Sequence, residues 1–275
     1  MRQYASEATA KLGEIAATRK DLMRTRGAIG NRLFGEEWQG NPDTSALRPS
    51  QAIIWEGLNE AFDASGKELK KVLTKEHELA PWLAPLKGMN GVQVAILLSR
   101  IRDPWRFPGQ PCSDGHIWLP QLEVGSICPA VTYDEDRKEG SCTGTIRPAR
   151  PETGVRSVWH YCGLHVMENG SAAYHRKGTR SDWDPVARTA LLMPDVGIIA
   201  QIIKQRTPKY RDIYDAKKDS VKATRPFFDT MALAKASGLP NAVFPGKVDT
   251  IAKYVAGKAF LGDLLMAWKE LVPLA

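Results

Sequence analysis

The 275-residue sequence predicts a mainly α fold: a helix-hairpin-helix-containing helical domain with a long N-terminal helical hairpin and a small β-rich insert. Three observations predict it. Two long stretches, residues 4–37 and 50–77, carry apolar residues at helical spacing. Leu86 to Phe107 reads as a turn rich in special-φ residues, Gly88-Met89-Asn90-Gly91, followed by an apolar helix from Val92 to Ile101. Between Pro108 and Pro151 the composition changes to prolines, glycines and β-prone runs. The chain divides accordingly into a helical hairpin at 1–79, a helix-hairpin-helix element at 80–107, a β-rich insert at 108–156 and a helical C-terminal region at 157–275.

In the first helix Leu12, Ile15, Leu22, Ile29 and Leu33 form a stripe close to heptad spacing, with Arg19, Lys20, Arg24 and Arg26 elsewhere on the surface. Such a seam needs a partner, either the next helix or a second copy of the chain. Gln39 to Pro49 is a loop, and Pro49-Ser50 opens a second helix to about His77, with Ile53, Ile54, Leu58, Ala61, Phe62, Leu69 and Leu73 on its apolar side. His77 itself, late in a charged helix, reads as a surface residue. The two helices form an antiparallel hairpin that projects from the body or dimerises. After a break at Ala80-Pro81 a short helix from Trp82 leads into the Gly88–Gly91 turn.

The insert contains HIWLPQLEV, SICPAVTYDED and SCTGTIRPA, with EDRKEG as a hairpin tip. Helix returns over Ser157–Leu164, and a polar connection follows. Asp184-Pro185 is an N-cap acid followed by proline at the first helical position. The helix it opens runs towards Ile203, with Pro194 kinking or dividing it. Lys204 to Lys222 is strongly basic and holds Tyr210 and Tyr214, whose i,i+4 spacing suits a buried edge better than base stacking. Helices over Pro226–Ala236 and Val248–Glu270 close the chain.

With 38 Lys+Arg against 31 Asp+Glu the formal charge is +7, which favours polyanionic partners. No apolar run reaches the ~18 residues of a membrane span. The N-terminal pattern is polar and helical, without the apolar core of a signal peptide. Four cysteines are too sparse for a disulfide scaffold, so the expected setting is cytoplasmic and reducing, with no membrane partner.

A Gly-x-Asn-Gly turn exposes consecutive N–H groups at the start of the next helix, where the helix dipole also favours a phosphate. Such an element holds nucleic-acid backbone without reading sequence. Candidate contacts are Lys87, Gly88, Asn90, Gly91, Arg100, Arg102 and Arg106 around the turn. A second set is His175, Arg176, Lys177 and Arg180, and a third is Lys204, Arg206, Lys209, Arg211, Lys217, Lys218 and Lys222. The plain alternatives are a well-capped αα-hairpin and solvated helix faces balanced by Asp212, Asp215 and Asp219. Cys112, His116, Cys128 and Cys142 are the right types for a structural zinc, although no pair has Cys-x-x-Cys spacing and buried cysteines without a metal are common. No other cofactor is expected. Asp134, Glu135 and Asp136 read as a solvated turn rather than a metal site.

Four stretches in order resemble the insertion-sequence transposases of the one-ten family. TRKDLMRTRGAIGNRL (residues 18–33) resembles the helix that follows the family's nuclease domain, through Arg26, Asn31, Arg32 and Leu33. LKGMNGVQVAILLSRIRDPWRF resembles its helix-hairpin-helix, with Asn90 where a second glycine is usual. VWHYCGLHVMENG resembles its Tyr-x-Gly-Leu-x-Pro segment, and the basic helix with Tyr210 and Tyr214 followed by AKYVAGKAFLGDLLMAWKEL resembles its closing helices. The resemblance covers most of the chain outside the insert. It implies a C-terminal transposase domain that couples elsewhere to an acidic nuclease domain, which this sequence lacks. The family's catalytic serine falls at Asn169-Gly170 here, and an amide cannot attack a phosphodiester as a hydroxyl can; Ser171, two positions on, is the alternative nucleophile.

The resulting expectation is a catalytically inactive DNA- or RNA-binding protein derived from a transposase C-terminal domain, dimeric through its N-terminal helices. Two alternatives stand beside it. One is a DNA recombinase component acting with a separate nuclease subunit. The other is a structural or regulatory protein of a phage or mobile element that binds a protein partner.

Overall fold

The computed structural model describes residues 6–34, 44, 47–89, 91–107, 110–111, 113, 117–118, 123–128, 131–133, 139–148, 154–165 and 183–272. Helix α1 (Glu7–Phe34) starts at Ser6, whose Oγ accepts the Thr9 N–H at 3.2 Å as an N-cap. Helix α2 (Pro49–Lys71) has proline in its first turn and continues into a π-helical turn, Val72–Glu76, that ends at His77. The pair is antiparallel. Lys11 meets Glu76 at 2.8 Å, the Arg19 guanidinium lies 3.5 Å from the Phe62 ring centroid, and Phe34 meets Trp55 edge-on at 5.3 Å. Gly66 is the close-approach point, since a Cβ there would sit 3.0 Å from Arg19 Nη1.

The root of this hairpin is part of the body. Leu12, Leu69, Val72 and Leu73 belong to one core with α4 (Val92–Ile101), which buries Val94, Ala95, Leu97, Leu98, Ser99 and Ile101. Burying side chains of this size contributes roughly 1.5–3 kcal/mol each, so α4 is the central post of the fold. The same core takes in Leu79, Leu83 of the one-turn helix α3 (Ala80–Leu83), and Met89 of the turn.

The C-terminal half wraps this post. Helix α5 (Gly154–Tyr161) is followed by α6 (Pro185–Leu192), and Pro194 does separate α6 from α7 (Ile198–Lys204). Helices α8 (Tyr210–Thr224), α9 (Met231–Ala236) and α10 (Pro245–Leu271) complete the order. Helix α10 carries Phe260, Leu261, Leu264, Leu265 and Trp268 into the core, and α8 lies along it through two phenols: Tyr210 donates to Asp263 at 2.8 Å and Tyr214 donates to Asp249. Both tyrosines are therefore packed edges, as their spacing indicates.

The β-rich insert is a correction. Among the described residues of 108–156, pairing is confined to β1 (Gln110–Pro111) with β2 (Ile117–Trp118) and β3 (Val131–Tyr133) with β4 (Glu139–Ser141). These are ladders of two and three residue pairs that do not join into one sheet, so the described residues form no β-rich unit and the core is helical. Prolines at 108, 111 and 120 enter or flank the first pair and remove ladder donors there, whereas β3 and β4 lie in the proline-free stretch between 129 and 148 and pair over three residues only. Beside the two pairs, the 123–128 turn holds on to 144–146, with Cys128 N–H donating to the Gly144 carbonyl at 2.8 Å.

His77 is a second correction. It is buried, not on the surface, and its ring lies 5.3 Å from that of Trp268. No helix among the described residues is long and apolar enough to cross a membrane.

Candidate nucleic-acid interface

The turn before α4 does not stand alone. Gly88 has φ +81°, and a Cβ built on it would lie 3.0 Å from Gln205 Cγ and 3.4 Å from Gln201 Cβ. Glycine is needed here twice over, for the left-handed backbone and for the close approach of α7's end. Beside it the fully buried Thr207 donates its hydroxyl to the Lys87 carbonyl at 2.9 Å. Thr207 is itself fixed, its N–H donating to Ile202 O at 3.0 Å and its carbonyl accepting the Arg211 N–H at 3.0 Å. Two helix-connecting turns are thereby locked together, Lys87 and Gly88 of one against Gln205 and Thr207 of the other.

This junction concentrates exposed positive charge. Lys87, Lys204, Arg206 and Lys209 are all exposed on the two turns. Arg206 and Lys209 hold φ of +50° and +68°, conformations that cost non-glycine residues of order 1–3 kcal/mol and recur where backbone geometry serves a site. No ion pair involving Lys87, Lys204 or Arg206 is formed among the described residues. Lys209 is held by Asp263, Nζ to Oδ2 at 2.6 Å, and the same carboxylate accepts from Tyr210. Burial and that hydrogen bond push the Tyr210 phenol well above its ordinary range, so it stays a neutral donor. Next to the junction, Gly91 is the N-cap of α4, and the first N–H groups of a helix have no intrahelical acceptor.

The other predicted basic residues are placed differently. Arg100 is an internal tie: Nε and Nη2 reach Asp184 Oδ2 at 2.8 and 2.5 Å, and Asp184 also caps α6 through the Val186 and Ala187 N–H groups. Burial pushes the Asp184 carboxyl up, but the hydrogen bonds from Arg100, Ala187 and Tyr161 outweigh it and hold it below its ordinary range. Arg102 is exposed with φ +65° at the C-terminus of α4. It lies about 15 Å from the turn, the length of a ten-residue helix. Arg106 ends a one-turn 3₁₀ helix, Pro104–Arg106. Arg211 is consumed locally, by Asp215 at 2.5 Å and the Ile203 carbonyl at 3.0 Å. Lys218 and Lys222 lie 5.1 and 5.6 Å from the ring centroids of Tyr214 and Phe227.

Asn90, His175, Arg176, Lys177, Arg180, Asn169, Gly170 and Ser171 lie outside the described residues, as do Cys112 and His116. Cys128 and Cys142 are both buried. Among the described residues no group of three or more His, Cys, Asp or Glu side chains converges on a metal position. Compared with protein families, with characterised proteins and with solved structures, the chain matches none.

Sequence reasoning missed three positions that build the site. Gln205 and Thr207 are polar residues in a turn, and nothing local marks them as the seat for Gly88. Asp263 sits in an apolar run of α10, and that lone carboxylate was the available signal.

Proposed function

We propose that this protein holds nucleic-acid backbone, DNA or RNA, without cutting it, at the junction of residues 87–91 and 204–209. The observation that carries the reading is the packing of Gly88 on Gln205 with the Thr207–Lys87 hydrogen bond, which brings two exposed basic turns onto one surface. Backbone contacts of this kind position a strand and are indifferent to sequence. The resemblance to a transposase C-terminal domain supports the same reading, as does the +7 charge. The test is fluorescence anisotropy with a labelled duplex and a labelled single-stranded RNA at low salt. Wild type binds at least one of them, and the Lys87→Glu/Arg206→Glu double variant, folded by circular dichroism, loses binding; equal binding by both proteins refutes the assignment.

The hairpin serves as a dimerisation arm in this reading. Its outer part exposes Met23, Ile53 and Ile54, with Lys20 and Arg24 on α1, Arg24 lying 3.8 Å from Asp21, and Glu56, Glu60 and Asp63 on α2, so that a two-fold pairing sets Lys20 against an acidic edge. Mass measurement of wild type and of an Ile53→Glu/Ile54→Glu variant tests this: a dimer that becomes a monomer supports it, and a wild-type monomer refutes it.

A further inference from the structure

The hairpin root and the C-terminal helix meet at a buried polar chain that binding does not use. His77 Nδ1 accepts the Leu79 N–H at 3.1 Å, which leaves the proton of the neutral ring on Nε2. Nε2 lies 3.1 Å from Thr9 Oγ1 and so donates to it. Thr9 Oγ1 then donates to Ser6 Oγ at 3.0 Å, and Ser6 donates to Glu78 Oε2 at 2.9 Å. Glu78 Oε1 accepts Trp268 Nε1–H at 2.7 Å. Every donor in the chain has one acceptor, provided that the ring carries one proton. The groups come from three segments, the start of α1, the His77–Leu79 link and the last turns of α10, and His77, Thr9 and Trp268 are all buried.

A second proton on His77 breaks this order. It would go to Nδ1, opposite the Leu79 N–H, turning an acceptor into a donor that faces a donor. Among the described residues the one anion within ion-pair distance of that atom is Glu78, with Oε2 at 3.7 Å, too far to accept a hydrogen bond from it, so it offsets only part of the cost. The carboxylates on the neighbouring elements do not compensate: Glu76 and Glu68 are paired with Lys11 of α1, and Lys269 of α10 is a further cation, held on the Phe107 carbonyl.

We propose that His77 is a proton-operated latch that ties the start of α1 and the His77–Leu79 link to α10 when the imidazole is neutral and loosens when the ring is protonated, while the hairpin root stays packed on α4. Burial lowers the proton affinity of His77 and Glu78 restores part of it, leaving the net direction down. The docked state therefore binds the proton less well than the open state. Docking is at full strength above the ordinary imidazole value of 6.5 and weakens as pH falls below it. The latch stands independently of nucleic-acid binding.

The test is hydrogen–deuterium exchange of residues 7–16, corrected for intrinsic rates, in wild type and His77→Gln. A glutamine can accept from Leu79 and donate to Thr9 but cannot titrate. In wild type, opening grows between about pH 7.5 and about pH 5.5, with a ceiling of about tenfold, while His77→Gln stays flat. Equal exchange at both pH values in wild type, or the same rise in His77→Gln, overturns the latch. Should the glutamine variant fail to fold, the His77 ring resonances of wild type decide: their titration coincides with accelerated exchange at 7–16 if the latch is real, and titration without it overturns the proposal.

Discussion

The tie between Arg100 and Asp184 separates a structural arginine from a binding one, and its size can be worked out. Asp184→Ala removes three things. The first is the N-cap of α6, whose loss costs typically ~1 kcal/mol. The second is a charge-assisted bond set with Arg100, in the range of about 1.5–3 kcal/mol. The third is an acceptor for Tyr161, but Tyr161 retains the Arg100 carbonyl at 2.9 Å. The Arg100 side chain is 41% exposed and can recover water, while that of Asp184 is 6% exposed. The lower half of the range therefore applies, and the total is about 3 kcal/mol. Asp184→Asn keeps the capping oxygen but turns an amide donor towards Arg100, so it should cost about 2 kcal/mol.

Urea unfolding followed by far-UV circular dichroism measures these differences. With a slope near ~3 kcal/mol/M for a chain of this size, Asp184→Ala lowers the midpoint by roughly 1 M. Arg100→Met keeps the aliphatic stem and leaves the carboxylate without its cation. Combined with Asp184→Asn it should cost less than the sum of the two, with a coupling of at least ~1 kcal/mol. The folded Asp184 proton affinity is depressed, so its stabilisation is present above the ordinary value of 3.8 and is lost as pH falls through the lower folded value. The gap between wild type and Asp184→Asn should close below that point. A neutral Arg100→Met with no coupling would refute the reasoning and return Arg100 to the binding surface.

The remaining predictions concern the junction. If Lys87, Lys204 and Arg206 each meet one phosphate, log K for duplex DNA falls with log salt at a slope of about −2.7; Lys87→Ala reduces that slope by about 0.9, and Arg211→Ala leaves it unchanged in the same anisotropy titration. Asp263→Asn frees Lys209 while still accepting from Tyr210, and steepens the slope by about 0.9. Gly88→Ala forces a left-handed alanine against Gln205, costing about 1–2 kcal/mol in urea unfolding and weakening binding. Gly91→Ala, whose Cβ would meet only the Gly88 carbonyl at 3.8 Å, should cost about 0.5 kcal/mol.

Local rules carried much of the fold. Pro49 at a helix start, Asp184-Pro185 as cap and first turn, and Pro194 as a break act through a few neighbouring backbone groups, and each stands where spacing placed it. The insert failed because β-propensity describes a residue's fit to a pleated surface, and two separate pairs of two and three residues offer no such surface. His77 was legible after all: Leu69, Leu73 and His77 fall on one face at i,i+4 spacing, and the continuation of a buried stripe outweighs the charge of the residues beside it. Arg100 and Lys209 were not legible, because whether a cation is spent inside the fold depends on carboxylates 84 and 54 positions away. Net charge counts such cations as available when the structure has already used them.

The proposed junction and the proposed latch share one helix. Asp263, which restrains Lys209 at the basic junction, and Trp268, which closes the His77 chain, both lie in α10, about 7.5 Å apart along its axis at 1.5 Å per residue. Between them Leu264 and Leu265 are buried in the core, so this segment of α10 cannot shift at one end without repacking the other. Loosening of the latch has two routes to the junction: along α10 to Asp263, and through α4, which shares one core with the hairpin root and with Met89 of the turn. The two routes separate in a single measurement. In Asp263→Asn the salt slope of binding no longer depends on the state of the latch if α10 carries the effect and still does if α4 carries it, whereas in His77→Gln it loses only its dependence on pH. A pH-dependent slope that survives in both variants would mean that neither route connects them.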